Sequence, residues 1–362
     1  MGTIRIHSRA WGAGQRRNAF AAVLMALMLA AGCTSVRPDR IVADRMDYGQ
    51  VIAESWKRQT LLNVVRLRYA DAPVFLEVAS LINSYSVAGR ASAGASLPSA
   101  ADPNVLNLFA EGVWSNTPTV TYQPLIGERF TRSMLQPIPP TAVFQMLQAG
   151  WSANLVLSTA VSSINGLRNS NMGADGDPGF EELVDALTRI QRAGGIGFRV
   201  EPRKDGSAIV FVLRRRDADP ALIDASRRIS ELLRLEAATD EFEVSYGLIP
   251  RSGREMAVVS RSMMEIILNL GAGVELPAEH VGGGRALPGR SADSKTAPLV
   301  RIHSGPAAPP DTYAAVQFKD HWFWIDDNDI ASKRTFTFLM LLFSLAETGQ
   351  PAAAPVVTVP SR

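Results

Sequence analysis

"DPGFEELVDALTRIQRAGGIGFRVEPRKDGSAIVFVL", residues 177–213, decides the fold class. Asp177 can cap free amides, and Pro178 suits the first helical position, where its missing N–H costs no hydrogen bond. Phe180, Leu183, Leu187 and Ile190 then recur on one helical face. Gly194-Gly195 supplies the stop. "IGFRV" alternates apolar and polar residues, whereas "AIVFVL" is apolar throughout. Asp205-Gly206 between them tolerates the positive φ of a tight turn. The spacing therefore predicts a helix followed by an antiparallel hairpin, its first strand half-exposed and its second central.

The same devices recur on both sides. Asp219-Pro220 leads into the helical stretch "ALIDASRRISELLRL". "FEVSYGL" (242–248) alternates as a strand, with "MAVVS" (256–260) as a partner for it. Ser262 and Glu265 fit a capping box for "MMEIILNL". Upstream, "TAVFQMLQAGW" and "SANLVLSTAVSSINGL" predict two helices separated near Gly150. In the second, Leu157, Ala160, Val161, Ile164 and Leu167 fall at helical spacing. "NSNMGADGD" (169–177) and residues 282–298 are loops. "LVRIH", "AAVQF" and "WFWI" predict three short strands. "FTFLMLLFSLA" (336–346) is apolar on every side and too short to cross a bilayer, which takes about 20 residues, so it predicts a core helix. The pattern lacks the regular βαβ rhythm of parallel sheets. It predicts an α+β fold of antiparallel β-hairpins alternating with helices, in one or two domains, with the main body over 141–362.

Residues 47–140 read as an N-terminal helix and a long hairpin of small residues. Over 47–71, Tyr48, Val51, Ile52, Leu62, Val65 and Tyr69 fall near one face, interrupted by Ser55 and Gln59, with Arg58, Arg66 and Arg68 on a solvated or salt-bridged one. "SYSVAGRASAGASL" (84–97) then alternates with period two: Tyr85, Val87 and Leu97 share a side with glycine and alanines. "VLNLFAEGVWSNTPTVTY" returns, with Leu106, Leu108 and Trp114 on one side and Asn107, Glu111 and Ser115 on the other, where Phe109 and Val113 break the polarity. Each strand exceeds the 9 to 11 residues that cross a bilayer. Two strands cannot close a barrel, so a membrane role over 84–117 requires several subunits to pool hairpins. Against it, the apolar side is mostly Ala and Gly. Strands half-buried on a soluble body, or a small-residue loop, fit the same alternation.

The N-terminus supplies an address. Arg5, Arg9, Arg16 and Arg17 form a basic front without an acid, followed by the apolar run "AFAAVLMALMLAA" (19–31). That run has the size of a signal-peptide core rather than of a membrane span. Ala30, Ala31 and Gly32 lead into Cys33, the chain's single cysteine. "LAAGC" resembles the lipobox of bacterial lipoprotein precursors, although that family has Leu three places before the cysteine and Ala30 stands there. The resemblance implies cleavage after Gly32, acylation of Cys33, a signal peptide over 1–32 and a lipidated tether over 33–46. Thr34, rather than an aspartate, implies the outer membrane with the body facing the periplasm. An ordinary secretory signal with a chance cysteine is the competing interpretation.

The chain has 37 basic and 35 acidic residues. Setting aside the four signal arginines leaves 33 against 35, a net charge of −2. No basic face argues for nucleic acid. Once Cys33 is acylated, no thiol remains for a disulfide or a nucleophile.

No catalytic, cofactor or metal motif emerges. His280, His303 and His321 stand isolated in sequence, without zinc-ligand spacing. "DDND" (326–329) lacks the glycine and glutamate of a calcium loop and suits a helix start instead. In "DHWFWIDD" (320–327), Trp322 and Trp324 share one side of a strand and Phe323 and Ile325 the other. One pair belongs in the core, and the tryptophans are candidates for facing a partner. The expectation is a lipid-anchored outer-membrane lipoprotein, not an enzyme, that acts as a binding, scaffold or assembly component. It needs no cofactor, contacts membrane lipid through acylated Cys33, and meets an envelope protein or itself. The alternative is a subunit of an oligomeric outer-membrane pore.

Overall fold

The computed structural model describes residues 38–95, 106–172, 174–203, 206–213, 220–287 and 297–346, with the backbone alone described over 38–45, 79–118 and 202–207. Gly32, Cys33 and Leu97 lie outside the described residues. The fold is α+β, with hairpins and helices alternating along the chain. The chain divides into two compact units, Met1–Trp56 and Lys57–Arg362. The 140/141 boundary read from sequence falls inside the second unit.

Helix α1 (Pro38–Arg68) starts at Pro38, so much of the expected tether is helical. A proline's fixed φ suits a helix start. Within the second unit α1 buries Leu61, Val64 and Val65, followed by Tyr69. Val65 and Tyr69 are buried as expected, with Leu61 and Val64 beside them, whereas Leu62 is half-buried and Val51 is exposed. Arg68, expected on a solvated or salt-bridged face, is buried at 3% exposure.

Strands β1 (Leu76–Ala95) and β2 (Leu106–Pro124) form an antiparallel two-stranded sheet. A short helix α2 (Gly127–Phe130) runs into a π-turn at Thr131–Leu135. Helix α3 (Pro140–Gln148) ends before Gly150, whose φ of +94° turns the chain. Helix α4 (Ala153–Ala160) is shorter than its spacing predicts. Val161–Ile164 leaves it as strand β3, and Leu167–Arg168 returns as β4. The turn residues Asn165 and Gly166 have φ of +47° and +84°. An Asn-Gly turn thus overrides the helical period, because β3 gains a strand partner in the sheet described next.

Helix α5 (Pro178–Arg192) buries Phe180, Leu183, Leu187 and Ile190, the stripe read from sequence. Gly194 ends it with φ of +70°. Strands β5 (Ile196–Arg203) and β6 (Gly206–Leu213) pair across a two-residue connection, with Arg203 opposite Gly206. Helix α6 (Pro220–Leu233), β7 (Glu241–Tyr246) and β8 (Glu255–Ser260) follow. The six strands are ordered β4-β3-β8-β7-β6-β5, so β5 is an edge and β6 is internal. β7 and β8 do pair, but in parallel. Helices α3, α4 and α5 pack on this sheet. Phe144, Phe198 and Phe211 form a chain of rings with centroids 5.0 and 5.4 Å apart.

Ser262 accepts a hydrogen bond from the Glu265 N–H at 3.2 Å and starts α7 (Met263–Leu270). A one-turn helix α8 (Ala278–Gly282) precedes a three-stranded sheet ordered β10-β11-β9. Its strands are β9 (His303–Gly305), β10 (Thr312–Phe318) and β11 (His321–Asp326). Helix α9 (Ile330–Ala346) buries Phe336, Phe338, Leu339, Leu342 and Phe343 but exposes Leu341 and Leu345. Asp329 caps it, accepting from the Ser332 N–H at 3.0 Å and the Ser332 hydroxyl at 2.7 Å. This is the helix-start role expected for the acidic run. Among the described residues, no helix is long and apolar enough to cross a membrane.

Candidate functional site

The β1–β2 ribbon is the largest feature outside the two packed sheets. Its strands are 20 and 19 residues long, which spans roughly 65 Å at about 3.3 Å per residue. Neither strand hydrogen-bonds to any other strand among the described residues, so both lateral edges are open. The register sorts the residues into two rows, one mainly apolar and one mainly polar. One row pairs Leu76 with Pro124, Val78 with Tyr122, Leu81 with Val120, Tyr85 with Asn116 and Val87 with Trp114. It continues with Ala93 opposite Leu108 and Ala95 opposite Leu106. The other row pairs Ser80 with Thr121, Ser84 with Thr117, Ser86 with Ser115 and Arg90 with Glu111, and is interrupted by Ile82, Val113 and Phe109.

The first row is continuous because the register shifts between Val78 and Ser80. Ala79 is the extra residue. Were Ala79 paired in turn like its neighbours, a strict period of two would carry the even-numbered Leu76 and Val78 onto the row of Ser84 and Ser86. The bulge instead joins them to the odd-numbered Leu81, Tyr85 and Val87. At the base of the ribbon, where side chains are described, Leu76, Val78, Val120 and Tyr122 are all exposed. The sequence-predicted residues Tyr85, Val87, Leu106, Leu108 and Trp114 thus belong to one row.

The aromatic strand β11 separates as its alternation predicts. Phe323 and Ile325 are fully buried, while Trp322 and Trp324 are half-buried. Trp324 donates from Nε1 to Asp326 Oδ1 at 2.9 Å and lies 5.9 Å from His303, centroid to centroid. His303 sits between two carboxylates, Glu275 at 3.0 Å and Asp326 at 3.3 Å.

Two histidines isolated in sequence meet in space. The turn between β10 and β11 uses Lys319 and Asp320 with φ of +47° and +66°, and places His321 at the head of β11. Pro277 starts α8, which carries Glu279 and His280. The two rings stand edge to face with centroids 5.0 Å apart. His321 Nε2 lies 3.1 Å from Glu279 Oε1. Tyr69 Oη and His280 Nδ1 share a buried 2.6 Å hydrogen bond. Burial, then the charges of His321 and Arg285, hold the His280 imidazole below its ordinary pKa. Burial likewise pushes the Tyr69 phenol up to about 12, with Glu279 adding to it and Arg68 opposing it. No short motif in the sequence signals this meeting, because it is made by a helix end, a one-turn helix and a hairpin turn far apart in the chain.

A cavity of about 660 Å³ opens beside the six-stranded sheet, between Leu147, Leu187, Phe198 and Phe211, with Arg192 and Arg334 also on its lining. Gln191, also lining it, is committed to the backbone: it donates to the Leu147 and Trp151 carbonyls and accepts from the Ala153 N–H. Among the described residues, the lining contains no histidine, carboxylate, lysine or cysteine.

Comparison with known proteins finds no protein-family model, curated protein or solved structure that matches the chain.

Proposed function

We propose that the chain is an outer-membrane lipoprotein, held by acyl chains on Cys33, whose periplasmic body is a non-enzymatic binding, scaffold or assembly component of the envelope. The anchor rests on the basic front, the short apolar run and the "LAAGC" stretch. Several acyl chains give stable attachment where one gives only marginal binding. The ribbon supports the assembly role. Open edges on strands of 20 and 19 residues present unpaired main-chain donors and acceptors to another strand, from an envelope protein or a second copy.

The second reading, a subunit of an oligomeric pore, is favoured by the mainly apolar row, although Ile82, Val113 and Phe109 fall on the other. A barrel made by pooling ribbons needs one row for lipid and one for water, and would close the open edges. Ala and Gly along the outer half of the apolar row weaken this reading, since transfer into lipid improves with apolar area.

Replacement of residues 88–114 by a short linker separates the readings. For a scaffold, the shortened chain stays folded and membrane-bound but loses its envelope partner. For a pore, detergent-extracted wild type forms a discrete ring with membrane conductance, and the shortened chain loses both. A shortened chain that keeps every interaction would remove the ribbon from either account.

A further inference from the structure

We propose that Glu279, His280 and His321 form a binding site for a transition-metal dication of the zinc class, independent of how the chain is anchored. The ligand atoms of the three side chains all lie within 4.8 Å of one another. They come from α8 and the head of β11, so an ion there would tie the one-turn helix to the β10–β11 hairpin.

The hydrogen bonding around the rings carries the argument. His321 Nδ1 faces the Lys319 carbonyl at 3.3 Å. A carbonyl only accepts, so Nδ1 carries the proton and a neutral ring presents the lone pair of Nε2. That lone pair faces a carboxylate oxygen at 3.1 Å. Two acceptors at this distance need a positive charge between them, either a proton on His321 or a metal ion. A shared proton would need only those two groups. The third donor, His280, stands beside them with Nδ1 engaged by Tyr69, which leaves its other nitrogen for a ligand. A partner on one imidazole nitrogen that fixes the ring for coordination through the other is the usual outer-shell arrangement of histidine metal sites.

Two imidazoles and one carboxylate suit zinc, with a water as the fourth ligand. Bond lengths of about 2.0–2.1 Å place tetrahedral ligand atoms roughly 3.4 Å apart. The His321–Glu279 pair already meets that separation. Glu279 is exposed, His321 half-buried and His280 buried. The site therefore opens to solvent on the side of its one freely mobile ligand, and rotation of Glu279 can close it.

The test uses the full chain in detergent, without a histidine tag, stripped with EDTA and dialysed against micromolar zinc chloride. The expected result is one zinc per chain, with at least tenfold weaker binding in Glu279→Gln and in His321→Gln. Cobalt should give the visible bands of a four-coordinate ion in wild type and not in His321→Gln. Zinc should also raise the melting temperature of wild type and not of the double variant. Because Glu279 and His321 are not buried, these variants keep the test sound even if His280→Gln fails to fold. Less than a tenth of an equivalent of zinc on wild type, or equal zinc on the double variant, would overturn the site.

Discussion

Val78 lies directly across the ribbon from Tyr122, and both side chains are exposed, at 37% and 52%. The next residue, Ala79, is the one the partner strand does not match. This single insertion decides which residues continue the row that Val78 and Tyr122 begin. Deletion of Ala79 should therefore remove the bulge and leave the pairing beyond it, and both rows, unchanged. Engineered cysteines read the register. Val87→Cys with Trp114→Cys should form a disulfide on mild oxidation in wild-type background, because directly opposite strand residues have Cα atoms about 4.5–5.5 Å apart. The same pair should keep its yield when Ala79 is deleted, and a lost yield would contradict the register.

Arg261 is buried at 1% exposure. It donates to the carbonyls of Ser158 at 2.9 Å, Thr159 at 3.2 Å and Ser170, joining the end of α4 to the loop after β4. Truncation to alanine leaves buried carbonyls without donors. Arg261→Ala should lower stability by about 3 kcal/mol or more in urea unfolding. A loss below about 1 kcal/mol would show that water replaces the guanidinium.

The two faces of β11 should differ sharply. Phe323 is fully buried, so Phe323→Ala should cost about 3–5 kcal/mol. Trp322 is half-buried, so Trp322→Ala should cost distinctly less. Equal losses by thermal or urea unfolding would mean that Trp322 carries core packing as well.

Asp177 provides a pH test. The Arg168 backbone N–H and then its guanidinium hold the Asp177 carboxyl below the usual carboxylate range. Its folded pKa lies below its unfolded one. The stabilisation is therefore complete above the unfolded value, about 3.9, and disappears as pH falls through the folded value. The melting-temperature gap between wild type and Asp177→Asn should be constant near neutrality and shrink below about pH 4. A gap that widens on acidification would contradict this assignment.

Much of the body was legible because its signals are local. The α5 stripe, the β5–β6 hairpin, the Ser262 cap and the two sides of β11 follow from spacing and turn chemistry within a few residues. Local signals also competed. At Leu157–Leu167 the helical period and the Asn165-Gly166 turn pointed to different structures, and the sheet partner of β3 decided for the turn. Asp177 illustrates the same limit. It starts α5 by position, but its carboxylate makes no cap hydrogen bond and turns to Arg168, a partner the sequence does not indicate. The Ala79 bulge and the His280–His321 meeting were not legible, since each depends on what a distant segment places opposite.

The anchor is the claim on which location and partners depend, and labelling tests it most directly. A radiolabelled or clickable fatty acid should enter wild type and not Cys33→Ser, and mass spectrometry should find the mature chain beginning at an acylated Cys33. Equal labelling of both proteins, or a mature chain that starts elsewhere with an unmodified Cys33, would contradict it.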